Sequence, residues 1–532
     1  MNNFQRRFSD LLDYSLDINK LVSDGHITKA EAHRLENIKR EWNFYEGYHW
    51  EGIDNLDTSQ VTVNYCRPFV NKFVSFELGK GFTIKSGINL DNEEVTIDDK
   101  KVDVSDENAK KIEKSVVDFL NQIWKDNKKG TLCTELGQNK SITGDAWIKI
   151  SYDSPEDLDD PFEEYPNGRI RITVMPTQFC FPEFNPHDKD KMDSLMIMYP
   201  VVVKERTGVL RRRVSEHVEV YKEIWTNDSI IIHDPTISGE TIDTEIPNEY
   251  GFIPFVQIKN FPISGKTYGL SDLEDVIPLN VEINLKKSDV SEIIDYHSAP
   301  ITCVFGAKIG NLEKGANKVW GGLPKDAKVS NLALDGDLGA SNKYIDSLKT
   351  SMCEIGGIPE TVLGGASAIS NTSGVALQYI NLPLVEKTRV KRECTQDGIQ
   401  LVNKMILKIA LQQGLIEKSE DVSMKEFLHN EVVLPDTLPK DELIELQKIE
   451  QELKLGLECR HGALNRLGVE DNIEDKLNEI DREREEHPEI FNTMLQTMWY
   501  ENKLNSGMLN GQTSVEQVRT ESTGMNGLPN NE

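Results

Sequence analysis

A chain of 532 residues is long enough for two to four domains, and with 38% hydrophobic and 28% charged residues it can build cores beneath a generous polar surface. Its 89 acidic residues against 60 basic ones give a formal net charge of -29, which argues against a protein that grips nucleic acid through a basic face. It does not exclude nucleic acid as something that passes through, since an anionic surface only lowers affinity for a polyanion.

The seven cysteines stand singly with no CxxC spacing, as expected for reduced, mostly buried thiols. Met1 to Asn19 pairs no basic region with an apolar run, so synthesis in the cytoplasm is expected. Helical spacing links Phe4, Phe8, Leu11 and Leu16, then Ile27 through Leu35 and Ile38 to Trp42 and Phe44, with Thr28 as N-cap and Glu31 three residues on. Val61, Val63 and Tyr65 alternate, Pro68 to Leu78 is helical, and Gly79 and Gly81 mark a turn. The charged stretch Asp91 to Lys110 reads as loop, and a helix follows from about Asn108 to Asp126.

From Gly144 the period falls to two. Seven short strands are predicted around Ala146–Ile150, Ile170–Val174, Phe179–Phe181, Met196–Val203, Val218–Tyr221, Ile230–Ile232 and Phe252–Ile258, an antiparallel sheet within an α+β domain. A long helix then runs from Ser271 to His297, with Ser271 as N-cap, Glu274 closing a capping box and Pro278 bending the second turn. Residues 301–340 form a compact insert of short strands and turns, bracketed by that helix and a second one from Ser341 to Glu354.

Next come a glycine-rich loop, Gly356 to Gly374, and a helix from Val375 to Gln413, striped by Val390, Cys394, Leu401, Val402, Met405, Ile406, Ile409 and Ala410 and kinked at Pro383. Asp441 to Glu489 is acidic and helical, with Leu443, Leu446, Ile449, Leu453, Leu457, Leu464 and Leu467 as its expected buried face. The tail from Asn505 has the composition of a disordered segment.

Between Glu360 and Glu386 no residue is charged. Gly364, Gly365, Ser367, Ser370, Asn371, Gly374, Gln378 and Pro383 break that run, so a membrane span is rejected. Two readings stay open, an ordinary surface loop and a neutral loop facing a polyanion, where Lys or Arg would hold phosphate and Asp or Glu would repel it.

Enzymatic motifs fail on inspection. Ser264-Gly265-Lys266-Thr267 ends like a phosphate-binding loop, but Asn260 stands where the first glycine belongs and Pro262 removes a needed N–H, leaving an NTPase built on Lys266 as a weak alternative. Asp188, Asp190 and Asp193 lack the glycine and glutamate of a calcium loop and read as a solvated acidic turn. No HExxH or GxSxG occurs, and neither catalytic residues nor a metal or other cofactor is expected.

In order, Gly79-Lys80-Gly81-Phe82, Gly269-Leu270-Ser271-Asp272-Leu273-Glu274, Lys287-Ser288-Asp289, Ala299-Pro300, Gly357-Ile358-Pro359 and Asn371-Thr372-Ser373-Gly374-Val375-Ala376-Leu377 make the chain resemble the portal proteins of tailed bacteriophages over roughly Glu46 to Ile409. The resemblance implies an α+β portal-type fold: an N-terminal helical segment (1–48), a wing (49–265), a stem helix (266–300), a small α/β clip (301–340), a second stem helix (341–355), a tunnel loop (356–374), a long kinked wing helix (375–415), a helical crown (416–500) and a disordered tail (501–532). It implies a non-enzymatic ring of twelve copies at one capsid vertex, through which double-stranded DNA passes without sequence specificity or membrane contact. Expected partners are the terminase large subunit during packaging, capsid and scaffolding proteins, and a head-completion adaptor afterwards. The protein would belong to the virion, and to the host cytoplasm during assembly.

The residues implied to touch DNA are Thr361, Val362, Leu363, Gly364, Gly365, Ala366, Ser367, Ala368, Ile369, Ser370, Asn371 and Thr372. Stem residues Lys286, Lys287, Lys343 and Lys349 form basic rings in the channel or salt bridges between subunits, and both readings stay open. Trp320, Lys325 and Lys328 are the expected partner contacts of the clip. A protein-only assembly adaptor is the remaining alternative.

Overall fold

The computed structural model describes residues 18–51, 59–86, 95–97, 100–102, 107–158, 164–207, 213–235, 244–298, 302–306, 324, 326, 328–331, 338–364, 378–417, 424–435, 442–467 and 473–486. The chain divides into two compact units, 1–438 and 439–532.

In the first unit, α1 (Ile18–Ser23) and α2 (Lys29–Glu46) precede α3 (Cys66–Leu78). The Thr28 hydroxyl caps α2 by accepting from the Glu31 N–H at 3.2 Å, and Gly47, at φ +104°, ends it. Strand β1 (Thr83–Ser86) follows, then a hairpin of β2 (Val95–Ile97) and β3 (Lys100–Val102) and the helix α4 (Glu107–Asp126). The charged stretch expected to be loop therefore contains this hairpin and the start of α4.

Helix α5 (Lys129–Thr143) is missing from the sequence-based reading because its buried face mixes Leu132, Cys133, Leu136 and Ile142 with Gly137, Lys140, Ser141 and Thr143. An apolar stripe never forms.

The strands make two antiparallel sheets. β4 (Asp145–Asp153) and β5 (Arg169–Met175) pair with each other, and β11 (Phe255–Lys259) adds to the free side of β4. Between β5 and β11 in the chain, β6 (Cys180–Asn185), β7 (Asp188–Thr207), β8 (Arg213–Trp225), β9 (Ser229–His233) and β10 (Thr244–Pro247) form a five-stranded meander. Residue alternation splits the smaller sheet between two cores. Ala146, Ile148, Ile150, Val256 and Ile258 pack with α4 and α5, whereas Trp147 and Phe255 pack against Cys180, Leu195, Ile197 and Trp225 of the meander. Phe181 and Met198, on the other face of the meander, cover Leu21, Ile27 and Leu35 of the N-terminal helices and their connection.

Helix α6 (Val276–Ser298) leads to a hairpin of β12 (Thr302–Phe305) and β13 (Lys328–Asn331), and α7 (Leu338–Gly356) packs back on α6. After the loop region comes α8 (Leu382–Gln412), followed by α9 (Met424–Phe427) and β14 (Asn430–Val433), which pairs with β1. The second unit holds α10 (Glu442–Leu455), α11 (Arg460–Arg466) and α12 (Ile473–Glu486).

Four expectations need correction. Helix α6 begins at Val276 rather than Ser271, with Pro278 in its first turn, where the missing N–H has no intrahelical partner to lose. The helix expected to run unbroken from Val375 is interrupted by a turn at Asn381, between helical residues 378–380 and α8, with Pro383 in the first turn of α8. The buried face of α8 runs through Leu384, Thr388, Lys391, Thr395, Gly398, Val402 and Ile406, so Leu401 is exposed and Val390 and Cys394 only half-buried. In the second unit Ile449 and Ala463 are buried while Leu446, Leu453, Leu457 and Leu467 stay exposed; three short helices cover too little surface, and ion pairs of Arg466 with Glu452 and Glu458 tie them instead.

Candidate functional site

The most constructed region of the first unit lies where α3, α5, the start of α6, the end of α7 and the first half of α8 converge. An extended segment reaches it by pairing with a helix. The N–H groups of Ser59, Val61, Val63 and Tyr65 donate to Glu292 Oε1, Ser288 Oγ, Asn284 Oδ1 and Asn280 Oδ1 at 3.2, 3.0, 2.9 and 2.9 Å. Two residues of extended chain advance about 6.7 Å and four of helix about 6.0 Å, so every second amide meets every fourth side chain. Asn280 Nδ2 returns a bond to the Val63 carbonyl at 2.8 Å. Asn284 Nδ2 donates to Nδ1 of buried His49, whose Nε2 donates to the Phe44 carbonyl; burial lowers the His49 pKa, consistent with this neutral tautomer.

The connection from β11 to α6 is equally determined. A Cβ on Gly269 would lie 2.4 Å from the Gly144 carbonyl oxygen, and one on Gly144 2.5 Å from the Gly269 carbonyl oxygen, so these two backbones touch only as glycines. The Gly269 N–H donates to the buried Asp145 carboxylate, the Asp272 N–H to the Ser141 carbonyl, and the Ser271 hydroxyl to the Ile142 carbonyl. Ser271 Oγ also accepts from the Leu273 N–H, which makes a local turn of the residue expected to cap the helix.

Beside this turn lies an ionic cluster. Lys391 Nζ stands 2.6 Å from Asp272 Oδ2 and 3.7 Å from Glu77 Oε2, and Lys140 Nζ contacts Glu77 Oε1 and donates to the Lys391 carbonyl at 3.1 Å. Thr395 donates to Glu77 and Ser141 to Asp272, at 2.7 and 2.6 Å. Glu77, Asp272, Lys140 and Lys391 are all essentially inaccessible to solvent. Burial disfavours both carboxylates, but Lys140 and Lys391 outweigh it at Glu77, and Lys391 and Lys387 at Asp272; both pKa values fall below the ordinary range and both acids are ionised.

Lys387 extends the cluster outward. Its ammonium is 3.4 Å from Asp272 Oδ1, an oxygen with no hydrogen bond of its own, donates to the Gly356 carbonyl at 2.9 Å, and lies 4.6 Å from the Phe73 ring centroid. Past Gly356, Gly357 adopts φ +72°, and the Ile358 N–H donates to the Cys353 carbonyl. Residues 359–364 wind into successive turns, with Val362 and Leu363 packed on the core and Glu360 ion-paired to Lys349.

The chain matches the family described as phage portal protein, SPP1 Gp6-like, over residues 24–489. This chain belongs to that phage portal protein family. No curated protein matches it. Portal proteins are structural, non-enzymatic virion components that form an oligomeric ring and serve as the channel for DNA packaging and ejection, and this is the chain's function.

The match reaches back to residue 24, so α2 lies inside the portal region although the sequence-based resemblance began at Glu46. The local signatures now have physical reasons. In Gly269 to Leu273 they are the Gly144 contact, the Ser271 turn and the Asp272 ion pairs, and in Lys287-Ser288-Asp289 the bond from the Val61 N–H. Of the expected site residues, Thr361, Val362, Leu363 and Gly364 occupy the turns after α7, and Gly365 to Thr372 lie outside the described residues. Lys286 pairs with Asp289 at 3.0 Å and Glu282 at 3.9 Å on its own helix, Lys349 with Glu360, while Lys287 is half-buried and Lys343 exposed. Lys328 is exposed on β13; Trp320, Lys325 and the tail from Asn505 lie outside the described residues.

Lys266 sits on an exposed turn, and the next helix begins only at Val276, so no helix N-terminus faces a phosphate there. Among the described residues no acidic, His or Cys cluster forms a metal site, and no helix is long and apolar enough to cross a membrane. Glu77, Lys140, Lys387 and Lys391 escaped the sequence reading. Lys391 and Thr395 at helical spacing on a buried face were the available signal.

Proposed function

We propose that in the portal ring the loop from Gly356 to Gly374 lines the narrowest part of the channel through Thr361 to Thr372, with α6 and α7 as the stem, residues 301–340 as the clip and residues 416–500 as the crown. The observation that carries this reading is a run without charge from Thr361 to Val385, which starts in the turns after α7 and ends in the first turn of α8, in a chain that is 28% charged. A duplex sliding past such a loop meets neither a cation that holds a phosphate nor an anion that repels it. Twelve copies close the ring through heterologous contacts that return on themselves. The clip docks the terminase large subunit during filling and a head-completion adaptor afterwards, while the outer surface meets capsid and scaffolding proteins. Lys286, Lys287, Lys343 and Lys349 belong to the stem; the intrachain partners of Lys286 and Lys349 favour a structural role for those two.

The test is to add charge to the loop. Ser370→Arg gives each copy a phosphate-binding group, so heads assembled with this portal are expected to package DNA more slowly, with the deficit shrinking as salt rises. Unchanged packaging at every salt concentration contradicts the reading.

A further inference from the structure

We propose that Lys387 is the positioning residue of the channel loop, tying its two ends to each other and to the start of α6. The inference rests on the loop assignment above but concerns how the loop is held. Lys387 stands in the second turn of α8, the helix that follows the loop, and its ammonium donates to the carbonyl of Gly356, the last residue of α7, where the loop departs. One side chain thus closes the base of the loop. The same ammonium is 3.4 Å from Asp272 Oδ1, and Asp272 is fixed by Lys391 and Ser141.

The stem of Lys387 sets the backbone as well. A Cβ on Gly357 would lie 3.1 Å from Lys387 Cδ, so the departing backbone crosses directly over the aliphatic chain. Lys349 and Glu360 add a second tie on the outgoing side only. Lys387 is the member of the cluster suited to this task because its side chain keeps 24% exposure, whereas Lys391 and Lys140 are fully enclosed. Its loss leaves the Asp272 carboxylate still paired with Lys391 and Ser141 through Oδ2.

Hydrogen exchange on assembled full-length rings of Lys387→Met, Lys387→Gln and Lys387→Arg tests this. The Gly357 and Ile358 amides, which donate to Glu354 and Cys353, are expected to exchange at least tenfold faster in the Met and Gln variants. Arg, which restores a charged donor, is expected to return them to the wild-type rate. Amides 61–65 and those of β4 should not change in any variant. Wild-type protection in Lys387→Met, or in Lys387→Gln should the Met variant not assemble, overturns the proposal, as does acceleration spread evenly over the chain. Either result is independent of where the loop lies in the ring, so failure of the loop assignment is seen separately by imaging.

Discussion

Lys391 and Asp272 form a fully buried ion pair, 2.6 Å apart, between the middle of a late helix and the turn that opens α6. Taking two charges out of water costs several kcal/mol each, and here the cost is offset by shared partners: Ser141 on Asp272, and Glu77 with Lys140 around Lys391. Removing one member strands the other. Lys391→Met is expected to lower unfolding stability by about 3–5 kcal/mol, measured by denaturant unfolding.

The contact between Gly144 and Gly269 predicts a sharp contrast between two glycines. Gly269→Ala drives a methyl to 2.4 Å from a backbone oxygen that cannot swing away, whereas Gly265, at φ +78°, has open space around it. A loss of about 3 kcal/mol is expected for Gly269→Ala and about 1 kcal/mol for Gly265→Ala, from overpacking and from backbone conformation respectively. Thermal unfolding of the two variants side by side checks the order.

The ladder between residues 59–65 and α6 gives a third expectation. Asn280→Ala leaves the Tyr65 N–H and the Val63 carbonyl without their partner and should cost about 2 kcal/mol. Exchange at the Tyr65 amide should rise before the α6 amides are affected, as read by hydrogen exchange.

Glu41 supplies the pH dependence. Burial, helped by the charges of Glu274 and Asp145 and opposed by Ser271 and Arg40, raises its pKa from 4.5 to about 8, and burial likewise raises Asp145 to about 7. An acid with a raised folded-state pKa stabilises fully below its unfolded value, and that contribution is lost as pH rises toward the folded value. Stability should therefore fall between about pH 4.5 and 8. Glu41→Gln, neutral throughout, should gain on the wild type over that window by on the order of 5 kcal/mol. Denaturant unfolding at several pH values measures it.

The sequence showed the strands and most helices because their burial follows simple periods: Ala146, Ile148 and Ile150 alternate, and Val116, Leu120 and Trp124 recur at four. The site was less legible. Lys140, Lys391 and Thr395 occupy core positions, so α5 had no apolar stripe and the one assigned to α8 was displaced toward Leu401. Pairing of Val61, Val63 and Tyr65 with side chains of α6, rather than with another strand, depends on partners more than 210 residues away. No local pattern reports such a partner. The glycines of the loop root were visible as a turn, but Lys387, which binds there, lies on the far side of the loop.

The most direct measurement is an electron-microscopy reconstruction of the assembled ring at a resolution that traces residues 361–374. A closed ring is predicted, with this charge-free segment projecting into the central opening from bases held at Gly356 and Lys387. A ring whose opening is lined by other residues while the segment lies on the outer rim would contradict the account.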